Sequence, residues 1–222
     1  PAYVIDEKKL ISNLELLKQI QEETGCRILL AQKAFSCYPL YPLMGKYLAG
    51  TAASGLFEGK LGKEEMQKES HMYSPAYRQE EFEEILAVSD HIVFNSFSQV
   101  QKFGRTAREA GKSIGLRINP EFSTQPEHEI YDPCAKMSRL GTTKSQWEKE
   151  GTKELISLLD GIHFHTLCEQ NSDDLWDTIL AVEEKFGDAL LQMKWINLGG
   201  GHHITRDDFI DLGYYHSTVC LD

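Results

Sequence analysis

The stretch Arg27-Ile-Leu-Leu-Ala-Gln-Lys-Ala34 indicates how this chain folds. Its continuous apolar run, bounded by a polar turn, is typical of a parallel strand buried on both faces. Lys33 stands at the carboxyl end of this predicted strand, where an ammonium group must be paired, reach solvent or lose its charge. A desolvated lysine suits Schiff-base chemistry, because only the neutral amine attacks a carbonyl group. Taken alone, the stretch favours the simpler interpretation, a strand-end lysine that reaches solvent.

Predicted strands and helices alternate along the rest of the chain. Seven segments are predicted to be strands, and they contain Lys33, Thr51, His71, Ile92, Leu116, His163 and Ile196. This alternation predicts a parallel sheet whose strands are joined by crossover helices. The expected fold is therefore α/β, a (β/α)8 TIM-type barrel in which seven of the eight strands are recognised.

The end of the sequence lacks a convincing eighth strand. The barrel is predicted to occupy residues 1–206, and residues 207–222 form a tail that the pattern does not assign. Gly213 interrupts the helix expected there after about one or two turns. We expect residues beyond this sequence, rather than the tail, to complete the barrel.

Composition narrows the class of protein. The 222 residues carry a net charge of -11 and 41% of them are hydrophobic, which indicates a folded acidic protein and argues against a nucleic-acid partner. The five cysteines contain no Cys-x-x-Cys pair, so neither a disulfide framework nor a zinc ribbon is expected, and a reducing, cytoplasmic location fits. No apolar run is long enough for a membrane span, and no signal peptide is recognised, so no membrane partner is expected.

Polar residues stand at the predicted carboxyl ends of the strands, where barrel enzymes place their active sites. These candidates are Lys33, Ser54, His71, Asn95, Arg117, Asn119, His163, His165 and Gly199–Gly201. In a strand, His163 and His165 share one face, so both could point into the barrel mouth. Residues 120–136 contain three prolines and little periodicity, which predicts a long loop of the kind that is functional or disordered.

A triple glycine follows the seventh predicted strand, in Gly199-Gly-Gly-His-His-Ile-Thr205. Glycines expose backbone N–H groups and let a phosphate approach closely, although a plain turn is the alternative. Four histidines could instead bind a metal ion, namely His163, His165, His202 and His203. Because no supporting strand-end aspartate is evident, phosphate is favoured and no metal ligand is assigned.

Three features would surround one barrel mouth: Lys33, the imidazole of His165 and the glycines Gly199, Gly200 and Gly201. An amine, a flat ring and a phosphate-binding loop match a cofactor that has an aldehyde, an aromatic ring and a phosphate. Pyridoxal 5′-phosphate is the cofactor that combines these groups.

Several stretches of the chain, up to about Arg206, match a known family. They are Pro1–Val4, Gln32–Ser36, Gly50–Glu58, Gly115–Pro120, Tyr131–Cys134, Ser138–Gly141, His163–Glu169 and Leu198–Thr205. The chain resembles the fold-type III pyridoxal-phosphate decarboxylases, which have alanine racemase-like barrels. Within that group it resembles the carboxynorspermidine (carboxyspermidine) decarboxylases.

The resemblance implies a role for each matching residue. Lys33 would form the Schiff base with the cofactor, and His165 would stack on the pyridine face. The phosphate would bind at Gly199, Gly200 and Gly201. Arg117 and Glu58 would lie near the cofactor, and Arg139 would lie near the boundary between active site and dimer partner. The implied reaction removes CO₂ from a carboxylated polyamine and gives norspermidine or spermidine.

The resemblance also implies parts that this sequence does not show. Family members form homodimers and have a C-terminal β-domain, and an acidic residue of the eighth strand pairs with the pyridine nitrogen. Neither part is recognisable here, so Cys220 and Asp222 receive no role. Two alternative functions stay open: a non-catalytic single-barrel protein that binds pyridoxal phosphate, and a metal-dependent barrel hydrolase.

Overall fold

One parallel sheet of seven strands organises the protein. The computed structural model describes residues 3–125 and 132–202, and its strands are hydrogen-bonded in chain order from β1 to β7. The strands are β1 Leu29–Ala31, β2 Gly50–Ala53, β3 Glu69–Tyr73, β4 His91–Phe94, β5 Ser113–Arg117, β6 Gly161–His163 and β7 Trp195–Asn197. The seven predicted strands and their parallel pairing are therefore confirmed, and the tail 207–222 lies outside the described residues.

Helices connect successive strands. They are α1 Glu7–Thr24, α2 Tyr41–Met44, α3 Leu56–Leu61, α4 Phe82–Val88, α5 Phe97–Glu109, α6 Lys144–Glu150, α7 Lys153–Ile156 and α8 Ser172–Leu190. Short 3-10 turns precede α2 and α4, and a π-helical turn, Gly62–Met66, extends α3. Local sequence sets several of these ends: the Asp6 carboxylate accepts from the N–H groups of Lys8 and Lys9 to start α1. None of the described helices has the length and apolar character needed to cross a membrane.

The two faces of the sheet have different composition. On the face that packs against the helices, Met72, Ile92, Ile114 and Ile162 are fully buried in the main hydrophobic core. The opposite face, called the inner face here, carries the residues that alternate with them. Because side chains alternate along a strand, each strand supplies both the core and the inner face.

The first strand differs from the prediction. β1 has only three residues and pairs with β2 alone among the described strands, so it is an edge of the sheet. Leu30 is buried, but Ala31 and Lys33 are exposed. The prediction of a strand buried on both faces was therefore wrong for the inner face, because Ala31, which pairs with Ala52 in line with His71, is exposed there.

The prediction that His71 lies at the carboxyl end of its strand was also wrong. β3 begins at Glu69 and ends at Tyr73, so His71 lies in mid-strand and Tyr73 occupies the carboxyl end. The hydrophobic pattern placed the strand two residues too late, because Glu69 has low intrinsic preference for a strand. The Glu69 side chain nevertheless makes contacts with Arg27, His71 and His91 that hold this residue in β3.

Trp195 fills the inner face beside β5 and β6. Its indole N–H donates to Ser113 Oγ at 2.8 Å. A methyl group added at Gly115 or Gly161 would overlap the indole ring. These two glycines are therefore required by the close approach of the ring.

We predict that Gly161→Ala destabilises the protein by roughly 1–3 kcal/mol, because the new methyl group forces Trp195 out of its packed position. The free energy of unfolding in urea measures this change. Gly187→Ala is the matched control: Gly187 lies inside α8, and an added methyl group would make only an ordinary contact, 3.9 Å from Glu183 Cγ. That variant should gain roughly 0.5–1 kcal/mol from its higher helix propensity. Equal stability of Gly161→Ala and the unmodified protein would contradict the packing argument.

Candidate active site at the carboxyl ends of the strands

Three side chains from β3, β5 and β6 meet on the inner face at the carboxyl ends of their strands. The guanidinium carbon of Arg117 lies 4.9 Å from the centre of the Tyr73 ring. The Tyr73 and His163 rings are 5.5 Å apart. Parallel strands in register bring Arg117 beside His163, so this cluster follows from the sheet itself. The sequence predicted Arg117 and His163 at strand ends but did not identify Tyr73.

Arg117 is a buried cation that lacks a described counterion. Only 5% of the residue is exposed. Its Nη2 donates to the His165 carbonyl oxygen at 3.2 Å, whereas its Nε has no acceptor among the described residues. Within the same described ranges, no carboxylate lies within 4.0 Å of its guanidinium group. A buried positive charge without a partner is costly, so this end of the sheet is suited to an anionic ligand.

The two histidines of the His163-Phe-His165 segment are neutral. Burial, followed by the charges of Arg117 and His165, lowers the pKa of His163 to about 3. Burial, followed by the charges of Arg117, Lys33 and His202, lowers the pKa of His165 to about 4. Burial disfavours the charged form of each imidazole, and a cation beside Arg117 would be repelled, so both causes lower the pKa.

A hydrogen bond fixes the tautomer of His165. The backbone N–H of Gly200 donates to Nδ1 of His165 at 3.1 Å. Nδ1 is therefore the acceptor, and the proton of the neutral ring resides on Nε2. This bond also connects the glycine segment to the residue that was predicted to stack on a cofactor ring.

Lys33 and Glu58 approach the same end of the sheet from β1 and β2. Lys33 lies two residues beyond β1 and is exposed, and its charge is close enough to contribute to the lowered pKa of His165. Glu58, in the first turn of α3, accepts hydrogen bonds from the N–H and hydroxyl groups of Ser54 at 2.6 and 2.9 Å. These two bonds hold the Glu58 carboxylate at the carboxyl end of β2.

The glycine segment is shaped by close packing. Gly199 and Gly201 have φ angles of +75° and +89°, and a methyl group on either would collide with the backbone that follows β6. The N–H of Gly199 donates to Asn197 Oδ1 at 2.9 Å, and that of Gly200 is used by His165. A phosphate at this loop would have to exchange with these acceptors. Gly200 itself would tolerate a methyl group, which would lie 3.7 Å from His165 Cε1.

Tyr73 belongs to a network that sequence reasoning missed. Its hydroxyl donates to Asn95 Oδ1 at 2.8 Å. The Asn95 amide nitrogen donates to the Arg139 carbonyl oxygen at 2.9 Å, and the N–H of Gly141 donates to Asn95 Oδ1 at 2.7 Å. The network ties the end of the long loop to β3 and β4. A strand boundary at Tyr73 instead of Ser74 would have revealed it, because Tyr73 has the same inner-face parity as His71.

The long loop begins after β5, and the chain that follows it is hydrogen-bonded to the end of the same strand. Residues 120–125 and 132–136 contain no helix or strand, in agreement with the predicted loop, and residues 126–131 lie outside the described ranges. Beyond it, the N–H of Thr142 donates to the Arg117 carbonyl oxygen at 2.9 Å. Asn119 lies in the same region, where its Oδ1 accepts from the N–H of Glu121 at 2.8 Å.

The described histidines at the carboxyl ends of the strands do not form a metal-binding group. Across residues 3–125 and 132–202, the ligand atoms of His163, His165 and His202 do not converge on a group that could hold an ion. His203 lies outside the described residues. The described geometry at this end of the sheet therefore favours an anion over a metal ion.

Comparison with known proteins agrees with this arrangement. No family model matches the sequence. The carboxynorspermidine/carboxyspermidine decarboxylase of Campylobacter jejuni subsp. jejuni is 44% identical over 209 residues, which are 94% of this chain and 53% of the relative. The carboxyaminopropylagmatine decarboxylase of Synechocystis is 36% identical over 96% of this chain and 54% of the relative.

A solved structure shows the same likeness in three dimensions. The carboxynorspermidine decarboxylase of Campylobacter jejuni, complexed with norspermidine, superimposes with a TM-score of 0.86 at 41% identity, over 99% of this chain and 55% of that protein. The resemblance to carboxynorspermidine/carboxyspermidine decarboxylases is confirmed. The seven parallel strands and their connecting helices match part of a TIM-type barrel of the alanine racemase-like kind, as the sequence predicted. The chain spans about half the length of the curated relatives it matches.

We predict that acid destabilises this end of the sheet through His163. Its pKa is lower in the folded protein than in the unfolded chain, where about 6.5 is usual. The unfolded state therefore binds more protons below that pKa, and the stability present at neutral pH is lost as the pH falls toward 3. Between about pH 7 and pH 4.5, His163 should account for a loss on the order of 2 kcal/mol.

Urea unfolding at both pH values, on the unmodified protein and His163→Gln, measures this loss. The variant is expected to show a smaller difference between the two pH values, whatever its stability at pH 7. An identical difference in both proteins would assign the acid sensitivity to other groups.

Proposed function

We propose that this chain forms the cofactor-binding barrel of a pyridoxal-phosphate-dependent decarboxylase that acts on carboxynorspermidine or carboxyspermidine. The reaction would release CO₂ and give norspermidine or spermidine. The observation that carries the proposal is the buried guanidinium of Arg117, without a described counterion, among the carboxyl ends of the strands. The similarity to carboxynorspermidine/carboxyspermidine decarboxylases supports the choice of substrate.

Each candidate residue has a separate task. The chemistry supplied by bound pyridoxal phosphate is capture of an amine by its aldehyde and withdrawal of electrons into its ring. Lys33 would hold the aldehyde through its side-chain amine, and its exposure leaves that amine accessible. His165 would lie against the flat ring, with its orientation set by the hydrogen bond from Gly200. Arg117 would offset negative charge, and Glu58, held by Ser54, would support the cofactor from the other side.

The neutral state of His165 suits that task. A neutral imidazole can lie flat against an aromatic ring without adding a charge to it. The positive charges around His165 already belong to Arg117 and Lys33. Protein-held charges that are fixed before the reaction stabilise developing charge without reorganisation.

The glycine segment would hold the phosphate group through backbone N–H groups. Gly199, Gly200 and Gly201 lie beside the histidine segment, with two glycines in the left-handed conformation that exposes the backbone. Binding would require Gly199 and Gly200 to exchange their present acceptors for phosphate oxygens. That exchange is a specific consequence of the proposal.

The remaining assignments are part of the same proposal. Residues 1–206 would form the barrel domain, with 207–222 outside it, and the protein would act as a homodimer, as the family resemblance implies. Four described cysteines are free thiols, namely Cys26, Cys37, Cys134 and Cys168, which supports a reducing, cytoplasmic location. The net charge of -11 supports attraction of a cationic polyamine substrate.

We predict that the purified full-length protein, loaded with pyridoxal phosphate, has a visible absorption band that Lys33→Ala abolishes. The reason is that the alanine variant has no amine to condense with the cofactor aldehyde. Lys46→Ala, which removes another exposed lysine, is the matched control and should keep the band. If the band persisted in Lys33→Ala and was lost in a different lysine variant, the cofactor would be attached to that other lysine instead of Lys33.

We predict CO₂ release from carboxynorspermidine and carboxyspermidine by the loaded full-length protein. Lysine and ornithine should give no release, because they lack the second amine-bearing arm of a carboxylated polyamine. Carboxyaminopropylagmatine is a third test compound, chosen because a 36% identical relative carries its name. A visible band without CO₂ release from any of these compounds would support a non-catalytic carrier of the cofactor instead.

A further inference from the structure

A second polar cluster lies on the inner face, at the amino-terminal ends of the strands. It consists of Glu69 and His71 on β3 and His91 on β4, and we call it the lower cluster. His71 and His91 are paired across the two strands. Glu69 precedes His71 by two residues, so all three side chains project from the same face. This end of the sheet is opposite to the candidate active site.

The lower cluster brings three metal-ligating atoms together. Nε2 of His71 lies 3.0 Å from Glu69 Oε1, and Nε2 of His91 lies 2.5 Å from the same oxygen. The two imidazole rings are stacked, with centres 4.0 Å apart and an angle of 7° between their planes. One ligand atom from each residue lies within 4.8 Å of the other two. Such convergence of two histidines and one carboxylate is a ligand set that zinc uses in proteins.

We propose that Glu69, His71 and His91 form a binding site for a divalent transition-metal ion, with Zn²⁺ as the expected ion. Tetrahedral zinc with bonds of about 2.0–2.1 Å separates its ligand atoms by roughly 3.3 Å. The two distances to Glu69 Oε1 therefore have to lengthen by less than about 1 Å to admit the ion. A water molecule would supply the fourth ligand.

The two ring nitrogens of each histidine have different surroundings, and only Nε2 faces the carboxylate. Nδ1 of His71 and Nδ1 of His91 are both buried and have no hydrogen-bond partner among the described residues. If an Nε2 atom carries the proton and donates to Glu69, Nδ1 of the same ring is left as an acceptor without a donor among the described residues. If the protons instead reside on Nδ1, two Nε2 lone pairs face a carboxylate oxygen, and a cation between them relieves the repulsion.

The cluster is mostly buried, but its side chains are not fully shielded from solvent. The side chains of Glu69 and His71 are 15% exposed and that of His91 is 19% exposed. Trp195 closes one side, with its ring centre 5.6 Å from that of His91. Arg27 forms an ion pair with the other oxygen of Glu69, and its side chain is 65% exposed. The arginine can therefore move into solvent when a metal ion binds.

This inference is independent of the proposed decarboxylase chemistry. A metal ion here would join β3 to β4 at the amino-terminal end of the sheet, where barrel proteins commonly place stabilising features. Its expected effect is on stability, and loss of catalytic activity would not test it.

The test uses full-length protein loaded with pyridoxal phosphate, dialysed against EDTA and then titrated with Zn²⁺ alone. We expect one tightly bound Zn²⁺ per chain by calorimetry and metal analysis, and a higher unfolding temperature with zinc. His91→Gln should weaken Zn²⁺ binding at least about 10-fold, because even outer-shell changes at metal sites cost about 10–100-fold. Arg27→Gln should strengthen binding, because it removes the cation that competes for Glu69.

His202→Gln is the matched control, because it alters a histidine at the opposite end of the sheet and should leave Zn²⁺ affinity unchanged. X-ray absorption at the zinc edge of the unmodified protein provides a test that needs no variant, and should show two imidazole nitrogens and a carboxylate oxygen. Absence of stoichiometric zinc, or binding lost in His202→Gln and kept in His91→Gln, would overturn the proposal.

Discussion

The rest of the structure depends on the alternation of side chains in a parallel sheet that is covered by helices on one face. On β3, β4, β5 and β6, every second residue enters the hydrophobic core, as do Met72, Ile92, Ile114 and Ile162. The residues between them form the inner face. A shift of any strand by one residue would place polar groups in the core, so the core itself fixes which polar side chains meet.

The inner face is divided along the strand direction into two polar ends. At the carboxyl ends lie Tyr73, Arg117 and His163. At the amino-terminal ends lie the lower cluster and Trp195. The indole ring occupies the space opened by Gly115 and Gly161. One face therefore carries both the proposed cofactor-binding end and the proposed metal site.

Electrostatics distinguish the two ends. At the carboxyl ends, burial and then the charge of Arg117 lower the pKa of His163 and of His165, and the buried guanidinium lacks a described carboxylate partner. At the amino-terminal ends, a single carboxylate, Glu69, is shared by Arg27 and two histidines. The first arrangement suits an anion, as proposed for the cofactor, and the second offers one carboxylate oxygen and two imidazole nitrogens to the proposed metal ion.

The sequence by itself determined the alternation of strands and helices, the number of strands in the described sheet and the family resemblance. Hydrophobic periodicity is a local property of the sequence, so strands and helices can be predicted from it without a structure. It also placed Arg117 and His163 at strand ends. Only the tertiary structure decided that β1 is an edge among the described strands, that Tyr73 rather than His71 ends β3, and that Asn95 joins Tyr73 to the Arg139 segment. Those features depend on which strands and loops become neighbours, and residues such as Asn95 and Arg139, 44 positions apart, carry no local pattern that records their contact.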